Sequence, residues 1–196
     1  MDDDDDDDSD EQAKREKRAR LETTNVFSDG ASKGNGSTHA LAGSACCFQR
    51  ASGVVELLQR TPGRQTNSRA ELFAAALALH ATLADAAVVL STDSDYVIRG
   101  VAEIDSYRRH GWSIAPGKEL ANADLWQLLA ALMDERAKLH LARVQFKHVL
   151  AHSGIEGNER ADRLSVEATR LAPATRGELR RLFSSLPAFD WSIVDA

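Results

Sequence analysis

Four acidic side chains stand where predicted strands and helices begin or end, and together they could bind cations. Asp29 ends a β-prone segment and Asp93 follows a continuous apolar run. Glu71 lies near the start of an Ala- and Leu-rich segment, and Asp162 lies in a charged amphipathic stretch. Converging carboxylates repel one another unless cations neutralise them, and hard oxygen ligands select Mg²⁺ or Mn²⁺ rather than zinc. Such a cluster suits phosphoryl transfer, in which two ions hold the attacking and the leaving oxygen.

Each of these acids also has an ordinary structural interpretation. Asp29 precedes a glycine and could start a turn. Glu71 follows Ser68 at the spacing of a capping box, in which both residues only cap a helix. Asp93 could cap the helix that follows it, and Asp162 could be an exposed helical residue. Taken singly, each acid favours its structural interpretation, whereas the order and the surroundings of all four favour a site.

The elements that must position the acids follow from the hydrophobic pattern. Strands are predicted over residues 24–29, 40–50, 53–61, 87–92 and 142–149, and helices over 69–84, 94–103, 121–138 and 158–170. The first three strands form an antiparallel meander, and 87–92 has the pattern of a buried central strand. Asp29 and Asp93 then stand at the carboxyl ends of neighbouring strands, where sites form in such sheets. The predicted fold class is α/β, with a five-stranded mixed sheet flanked by helices.

The charge of the chain is concentrated at its beginning. The 196 residues suit one domain with tails, and their formal net charge is −6. A net acidic charge would argue against a nucleic-acid partner. Residues 1–22, however, hold eleven acids and five bases, so they carry the whole net charge and the remainder is neutral. We expect residues 1–22 to form a disordered leader whose basic KREKRAR stretch is at most a weak import or nucleic-acid signal.

Cysteine use and hydropathy indicate the compartment. No stretch approaches the ~20 apolar residues that a membrane-spanning helix needs. Seven aspartates follow Met1, which is the opposite of a secretory signal. The two cysteines, Cys46 and Cys47, are adjacent and would point to opposite faces of a strand, so we expect no disulfide. We therefore expect a protein of the cytoplasm or the nucleus, not secreted and without a membrane partner.

The acids occur in motifs whose order and spacing can be compared with known families. The motifs are FSDGA at residues 27–31, TNSRAEL at 66–72, LSTDSDYV at 90–97 and HSGIEGNERAD at 152–162, with GW at 111–112 and DLW at 124–126. Together they resemble the signature blocks of type 1 ribonuclease H, in the family's order, over residues 24 to 170. The resemblance implies the ribonuclease H-like fold.

The resemblance also implies an activity and a metal site. Enzymes of this family are endonucleases that hydrolyse the RNA strand of RNA–DNA hybrids and leave 5′-phosphate and 3′-hydroxyl ends. By motif position, Asp29, Glu71, Asp93 and Asp162 would hold two Mg²⁺ ions, with Mn²⁺ as a possible substitute. His152, on a glycine-flanked loop, would assist proton transfer or product release. The implied partner is an RNA–DNA hybrid, and we expect a monomer.

His148 is a rival to His152. The two histidines are four residues apart, which on a helix would place both on one face as a possible zinc pair. The pattern of residues 142–149 predicts a strand instead. We therefore expect no zinc site and interpret His148 as structural.

Recognition of the hybrid would depend on the RNA 2′-hydroxyl group, which is accessible across a wide minor groove. By resemblance, Asn35 and Asn67 would contact the minor groove, and Thr66 with Asn35 would hold a phosphate of the DNA strand. Trp112 lies in a weak counterpart of the family's basic protrusion and is the fourth predicted substrate-binding residue. Turn or cap chemistry is the alternative interpretation of Asn35 and Asn67.

Two features depart from the family pattern. Asp95 replaces the glutamine that many members carry, and a carboxylate cannot donate a hydrogen bond to a base. The chain also has a C-terminal extension, residues 173–196, which follows the predicted ribonuclease H domain at 23–172. Residues 177–186 could form a helix, and Phe183, Phe189 and Trp191 could pack on the body or on a partner.

Two other functions remain open at this point. One is the nuclease module of a reverse transcriptase or retroelement, because the HSGIEGNERAD wording also occurs in such modules. The other is an inactive family member that only binds hybrids. The four acids and His152 are all present, which argues against the inactive alternative.

Overall fold

A five-stranded mixed sheet forms the centre of the computed structural model, which describes residues 23–115 and 117–194. β1 (Thr23–Lys33), β2 (Leu41–Arg50) and β3 (Gly53–Arg60) form the predicted antiparallel meander. β4 (Ala87–Thr92) pairs parallel with β1, and β5 (Gln145–His148) pairs parallel with β4. The spatial order is therefore β3-β2-β1-β4-β5.

Six helices surround this sheet in the part of the chain that the structure describes. They are α1 (Asn67–Ala81), α2 (Asp95–Ala102), α3 (Ile104–Arg109), α4 (Ala123–Lys138), α5 (Glu156–Ala168) and α6 (Arg176–Leu182). A small hairpin of Ser113–Ala115 and Lys118–Glu119 connects α3 to α4. The fold class predicted from the sequence, a mixed sheet flanked by helices, is confirmed.

Two glycines let helices approach the two faces of the sheet closely. A Cβ atom on Gly30 of β1 would collide with the backbone of α1 at Ala70 and Glu71. A Cβ atom on Gly43 of β2 would collide with the backbone of α5 at Ser165. Because adjacent residues of a strand point to opposite faces, and Gly43 pairs with the residue after Gly30, α1 and α5 cover opposite faces. This close approach brings the backbone of Glu71 against β1 at Gly30, the residue after Asp29. The prediction that the first strand ends at Asp29 is wrong, because pairing with β2 continues the strand to Lys33.

The hydrophobic core is centred on α1 and α4. From Leu72 to Leu79, every residue of α1 is buried, because this helix lies between the sheet, α4 and the end of the chain. The buried Trp126 of α4 packs against Tyr96 and Tyr107. Such a long apolar helix is stable only when neighbours cover all its sides.

Residues 173–194, called the C-terminal segment below, pack on the body of the protein. A capping box between Thr175 and Glu178 starts α6. Phe183 is fully buried and contacts the rings of Phe73 and Trp191. The sequence left open whether these aromatic residues pack on the body or on a partner, and in the described structure they pack on the body.

The structure corrects several details of the sequence analysis. α1 begins at Asn67, so Glu71 lies in its second turn, and the predicted capping box of Ser68 with Glu71 is wrong. Ser94, not Asp93, caps α2. Helix α3 was not predicted, because six residues are too few for a clear helical period.

Other expectations have separate outcomes. Cys46 and Cys47 are free and buried, as predicted. The described residues contain no helix that combines the length and the apolar character needed to cross a bilayer. The leader predicted over residues 1–22 lies outside the described residues. The boundary between domain and extension at residue 172 stays a prediction.

Candidate active site

Asp29 and Asp93 lie together at one edge of the sheet. β1 and β4 are parallel neighbours whose pairing ends at Phe27 and Ser91, so both acids lie just beyond the last paired residues. The side chain of Asp29 accepts a hydrogen bond from the backbone N–H of Gly30 at 2.7 Å, and Asp29 is only 8% exposed. This is the position at which α/β sheets form their sites.

Glu71 reaches this edge from α1 and is held by two side chains. Its Oε1 accepts a hydrogen bond from Asn67 Nδ2 at 2.6 Å, and its Oε2 accepts one from Ser94 Oγ. Ser94 Oγ also accepts from the backbone N–H of Val97 at 3.2 Å and so caps α2. Ser94 therefore links Glu71 to the turn that carries Asp93.

Helix α5 supplies Asn158 and Asp162. Asn158 is 2% exposed, and its Nδ2 donates to Asp93 Oδ2 at 3.0 Å. Asp162 lies one turn further along α5 and is partly buried. A Cβ atom on Gly157 would collide with the ring of Phe27, so only glycine lets this end of α5 approach β1. We call Asp29, Glu71, Asp93 and Asp162 the acid cluster.

The electrostatics of Asp29 reflect its burial and its three acidic neighbours. Burial, followed by the charge of Asp93, raises the pKa of Asp29 to about 8, and Asp162 and Glu71 add to the rise. The Gly30 N–H opposes it. Burial also raises the pKa of Glu71, against the lowering effect of the Ser94 hydrogen bond. A buried group of carboxylates of this kind is unfavourable until a cation neutralises it.

The donor set of the acid cluster fits a hard divalent cation, although the side chains are not arranged around one. Among residues 23–115 and 117–194, no three His, Cys, Asp or Glu side chains lie close enough together to hold a metal ion as they stand. Both oxygens of Glu71 and one of Asp93 are engaged by protein donors. Carboxylate oxygens are nevertheless the ligands that Mg²⁺ and Mn²⁺ prefer. A cation would also offset the repulsion that raises the pKa of Asp29.

The two histidines differ in their surroundings. His152 is exposed on the loop between β5 and α5, with a left-handed φ of 51°, and no hydrogen bond joins it to another described residue. His148 ends β5, and its Nε2 lies 3.2 Å from the backbone oxygen of Asp93. The strand at His148 is as predicted, so the helical arrangement required for a zinc pair is absent from this described segment. The role of His152 stays a prediction.

Asn35 and Asn67 belong to the same hydrogen-bonded chain as Glu71. Asn35 lies in a turn between two glycines with positive φ, Gly34 and Gly36. Its Oδ1 accepts a hydrogen bond from the backbone N–H of Asn67 at 3.3 Å, and Asn67 in turn holds Glu71. The predicted minor-groove residues are therefore next to the acid cluster.

Thr66 precedes α1 and lines an open groove of about 560 Å³. Arg64 and Asn122 line the same groove, and Ile193 of the C-terminal segment borders it. Arg64 is exposed. Sequence reasoning did not single out Arg64, Asn122 or Asn158. Arg64 lies two residues before Thr66 and Asn158 lies four residues before Asp162, so the sequence gives only a weak signal for either of them. Their positions in the site become evident only in the folded structure.

Trp112 is not next to the acid cluster in its contacts. It has a φ of 62°, and its backbone bonds Tyr107 and Leu120. Its side chain is partly buried against the core and lines a groove over α4 with Phe189. Among the described residues, no hydrogen bond links Trp112 to the four acids, so its contact with substrate stays a prediction.

Asp95 lies at the rim of the site and has protein partners of its own. Its Oδ2 accepts a hydrogen bond from Arg99 at 2.8 Å, and its Oδ1 lies 3.7 Å from His148 Nε2. Its side chain is 67% exposed. The extra carboxylate is therefore largely solvated and partly neutralised.

Comparisons with known proteins identify the family of the chain. A sequence profile of the family described as RNase H matches residues 21–170. The chain is 37% identical over 145 residues to a ribonuclease H of Pseudomonas fluorescens Pf-5, covering 74% of this chain and 90% of that protein. It has the same identity over 145 residues to the ribonuclease HI of Pseudomonas putida KT2440, covering 74% of this chain and 91% of the relative.

The chain belongs to the ribonuclease H family, and its relatives are of type 1. The predicted family, and with it the prediction of a ribonuclease H enzyme, is confirmed.

Solved structures share the fold at lower sequence identity. LC9-RNase H1, a type 1 RNase H with the type 2 active-site motif, has a TM-score of 0.58 and 23% identity, covering 89% of this chain and 92% of that one. The foamy viral protease–reverse transcriptase in complex with an RNA/DNA hybrid has a TM-score of 0.62 and 18% identity. That match covers 75% of this chain and 20% of the viral chain, and it shows the fold alone.

Proposed function

We propose that this protein hydrolyses the RNA strand of RNA–DNA hybrids, with two divalent cations held by Asp29, Glu71, Asp93 and Asp162. The observation that carries the proposal is the acid cluster itself. Asp29 of β1, Glu71 of α1, Asp93 after β4 and Asp162 of α5 interact electrostatically, and burial, followed by the charge of Asp93, raises the pKa of Asp29 to about 8. The relatives named above carry the same activity in their names.

Bound Mg²⁺, or Mn²⁺ in its place, would activate the attacking water and stabilise the leaving 3′ oxygen, which gives 5′-phosphate and 3′-hydroxyl ends. The remaining residues orient the four acids. Asn67 and Ser94 fix the carboxylate of Glu71 from two sides, and Asn158 fixes one oxygen of Asp93. His152, exposed on the loop before α5, would assist proton transfer to the leaving oxygen or product release.

Residues around the acid cluster would recognise the substrate. Asn35 and Asn67 would donate to or accept from the minor groove, where the 2′-hydroxyl group distinguishes RNA from DNA. Thr66 would hold a phosphate of the DNA strand at the groove that Arg64 and Asn122 also line. Trp112 would contact the hybrid at the edge of the molecule.

The test is a duplex panel with a matched pair of variants. Labelled RNA–DNA, RNA–RNA and DNA–DNA duplexes are incubated with the protein with and without Mg²⁺, and we expect cleavage only of the RNA in the hybrid and only with the metal. Asp93→Asn should abolish cleavage and spare the fold. Asp105→Asn, an equal charge change on the exposed face of α3, should cleave at the wild-type rate. Cleavage by Asp93→Asn at near the wild-type rate would overturn the site, and binding without any cleavage would favour an inactive hybrid-binding module.

A further inference from the structure

The C-terminal segment forms a groove that no part of the proposed reaction uses. The groove has a volume of about 440 Å³, and its walls come from α6 and from the turn that ends the described chain. The lining residues are Arg176, Gly177, Arg180, Phe189, Asp190, Trp191 and Ser192.

This groove is a direct neighbour of the groove at Thr66. Trp191 and Ser192 line the first groove, and Ile193, in the same single turn of 3₁₀ helix, borders the second. A strand that passes over Thr66 would therefore need only to cross the turn at 191–193 to reach Arg180. The phosphates of one nucleic-acid strand recur at every nucleotide, so a second contact of the same chemistry is to be expected there.

The charges of the segment favour an anion. Residues 173–194 contain three arginines and two acids. The acids are engaged locally, because Glu178 Oε2 accepts hydrogen bonds from the backbone N–H of Thr175 at 2.7 Å and its Oγ1 at 2.8 Å. Asp190 Oδ1 likewise accepts from the backbone N–H of Ser192 at 2.9 Å and its Oγ at 2.6 Å. The carboxylates are thus occupied by donors other than the arginines.

The two arginines that line the groove differ in their hydrogen bonding. Arg176 donates to the backbone oxygen of Val194 at 3.1 and 3.3 Å and so ties the final turn to α6. Arg180 is exposed, and no hydrogen bond or ion pair joins it to a residue in the described part of the chain. Phe183 and Trp191, both buried, hold the base of the groove in place. Arg180 is therefore an unpaired guanidinium on a preorganised support, and such a group binds phosphate oxygens well.

We propose that the C-terminal segment extends the hybrid-binding surface and that Arg180 binds a backbone phosphate of the DNA strand, next to the phosphate at Thr66. This inference rests on the proposed function. It predicts a contact that is independent of base sequence and sensitive to salt.

The quantity that tests this contact is the salt dependence of binding. Loss of one phosphate contact lowers the slope of log K against log[salt] by about 1 and weakens binding at low salt by roughly 3- to 10-fold. The contact lies outside the acid cluster, so KM should rise by a similar factor while kcat stays unchanged.

The experiment measures hybrid binding by the full chain without Mg²⁺ over a range of salt concentrations, together with cleavage kinetics in Mg²⁺. Arg180→Ala should lower both the affinity and the slope, and Arg180→Lys should restore most of the slope because it keeps the charge. Arg170→Ala, an equal charge change at an exposed arginine outside the groove, should match the wild type. Thermal unfolding of each variant checks that the segment remains packed.

The possible failures are distinguishable. If Arg180→Ala and Arg170→Ala have the same binding curves, the inference is wrong, even when the wild type cleaves hybrids normally. If the wild type cleaves no hybrid at all, the proposed function is wrong, and the phosphate contact at Arg180 is rejected as part of that function.

Discussion

Where the pairing of β1 with β4 ends, buried and partly buried polar groups lie close together, whereas around Phe183 the C-terminal segment buries mainly apolar groups. The acid cluster is held by hydrogen bonds from Asn67, Ser94 and Asn158. The C-terminal segment is held by the aromatic contacts of Phe183 and Trp191. Helix α1 takes part in both regions, because it carries Glu71 and, two residues later, Phe73.

The apolar region around Phe183 stabilises the fold, whereas the acid cluster carries the proposed chemistry and lowers stability. The raised pKa of Asp29 means that a charged acid cluster without cations opposes folding. Burial of large side chains stabilises a protein by about 1.5–3 kcal/mol each, so the apolar region can offset that cost. Substitutions in the two regions should therefore have opposite effects on stability and unequal effects on activity.

The largest effect is expected from Asp29→Asn. Loss of one carboxylate from the acid cluster should reduce cleavage on the order of 1000-fold, which corresponds to about 4 kcal/mol of barrier. The same change should stabilise the metal-free protein at pH 8 by several kcal/mol, because a buried carboxylate costs about 1.4 kcal/mol for each unit by which its pKa rises. Cleavage assays and urea unfolding measure the two effects. A less stable Asp29→Asn protein would contradict the electrostatic account of the cluster.

The opposite pattern is expected from Phe183→Ala. Removing this ring from the core should lower the free energy of unfolding by about 3–4 kcal/mol. Cleavage per folded molecule should stay at the wild-type rate, because the ring touches none of the four acids. Phe183→Leu keeps most of the apolar volume, should lose roughly 1 kcal/mol, and remains informative if the alanine variant does not fold. Unchanged unfolding curves for both variants would mean that the segment does not pack on the body in solution.

A smaller effect on chemistry is expected from Asn158→Ala, because Asn158 is a positioning residue for Asp93. Without the donor at 3.0 Å, Asp93 should adopt other orientations, and kcat should fall roughly 10-fold, the low end of the range for groups that orient metal ligands. KM should stay constant and the Mg²⁺ concentration for half-maximal rate should rise. Asn158→Asp keeps the shape but cannot donate when ionised, so it should behave like the alanine variant. If a lower folded fraction alone accounts for the loss, the positioning role is wrong.

The pH dependence of stability gives a test without any substitution in the core. The pKa of Asp29 is about 8 in the folded chain and 3.8 as its ordinary value. The folded state therefore binds this proton more tightly, and its contribution to stability is lost as pH rises from about 4 through 8. We expect metal-free protein to lose about 1 kcal/mol between pH 7 and pH 8, a window above the range where His80, with its lowered pKa, contributes. Asp29→Asn should remove this slope, and an unchanged slope would assign it to other groups.

The sequence predicts some positions in the acid cluster better than others. Asp29 and Asp93 could be placed together because each was predicted at the end of a strand, and parallel strands end at one edge. The pairing of β1 with β4 does end before both acids, although β1 itself continues to Lys33. The second-turn position of Glu71 could not, because Thr66 and Ser68 are both plausible caps and only packing against Gly30 sets where α1 begins.

Contacts between distant segments carry little local signal. Asn158 holds Asp93 across 65 residues of sequence. Ile193 borders the groove at Thr66 because Phe183 and Trp191 pack the C-terminal segment against Phe73 of α1. The docking of the C-terminal segment was ambiguous for the same reason. Aromatic residues on a short helix suit either a body or a partner, and only the three-dimensional core decides between them.

The smallest effect is expected from deleting residues 1–22. These residues carry the whole formal net charge of −6, and an acidic leader should compete with the hybrid for arginines such as Arg180. Deletion should tighten hybrid binding by roughly 2- to 5-fold at low salt and have no effect at about 1 M salt, where charges more than ~3 Å apart are screened. Replacing the seven consecutive aspartates by asparagine keeps the length and should reproduce the gain. In Arg180→Ala the gain should shrink, because one competed group is gone. A gain that persists at high salt would show that charge is not its cause, and no gain at all would leave the leader without influence on binding.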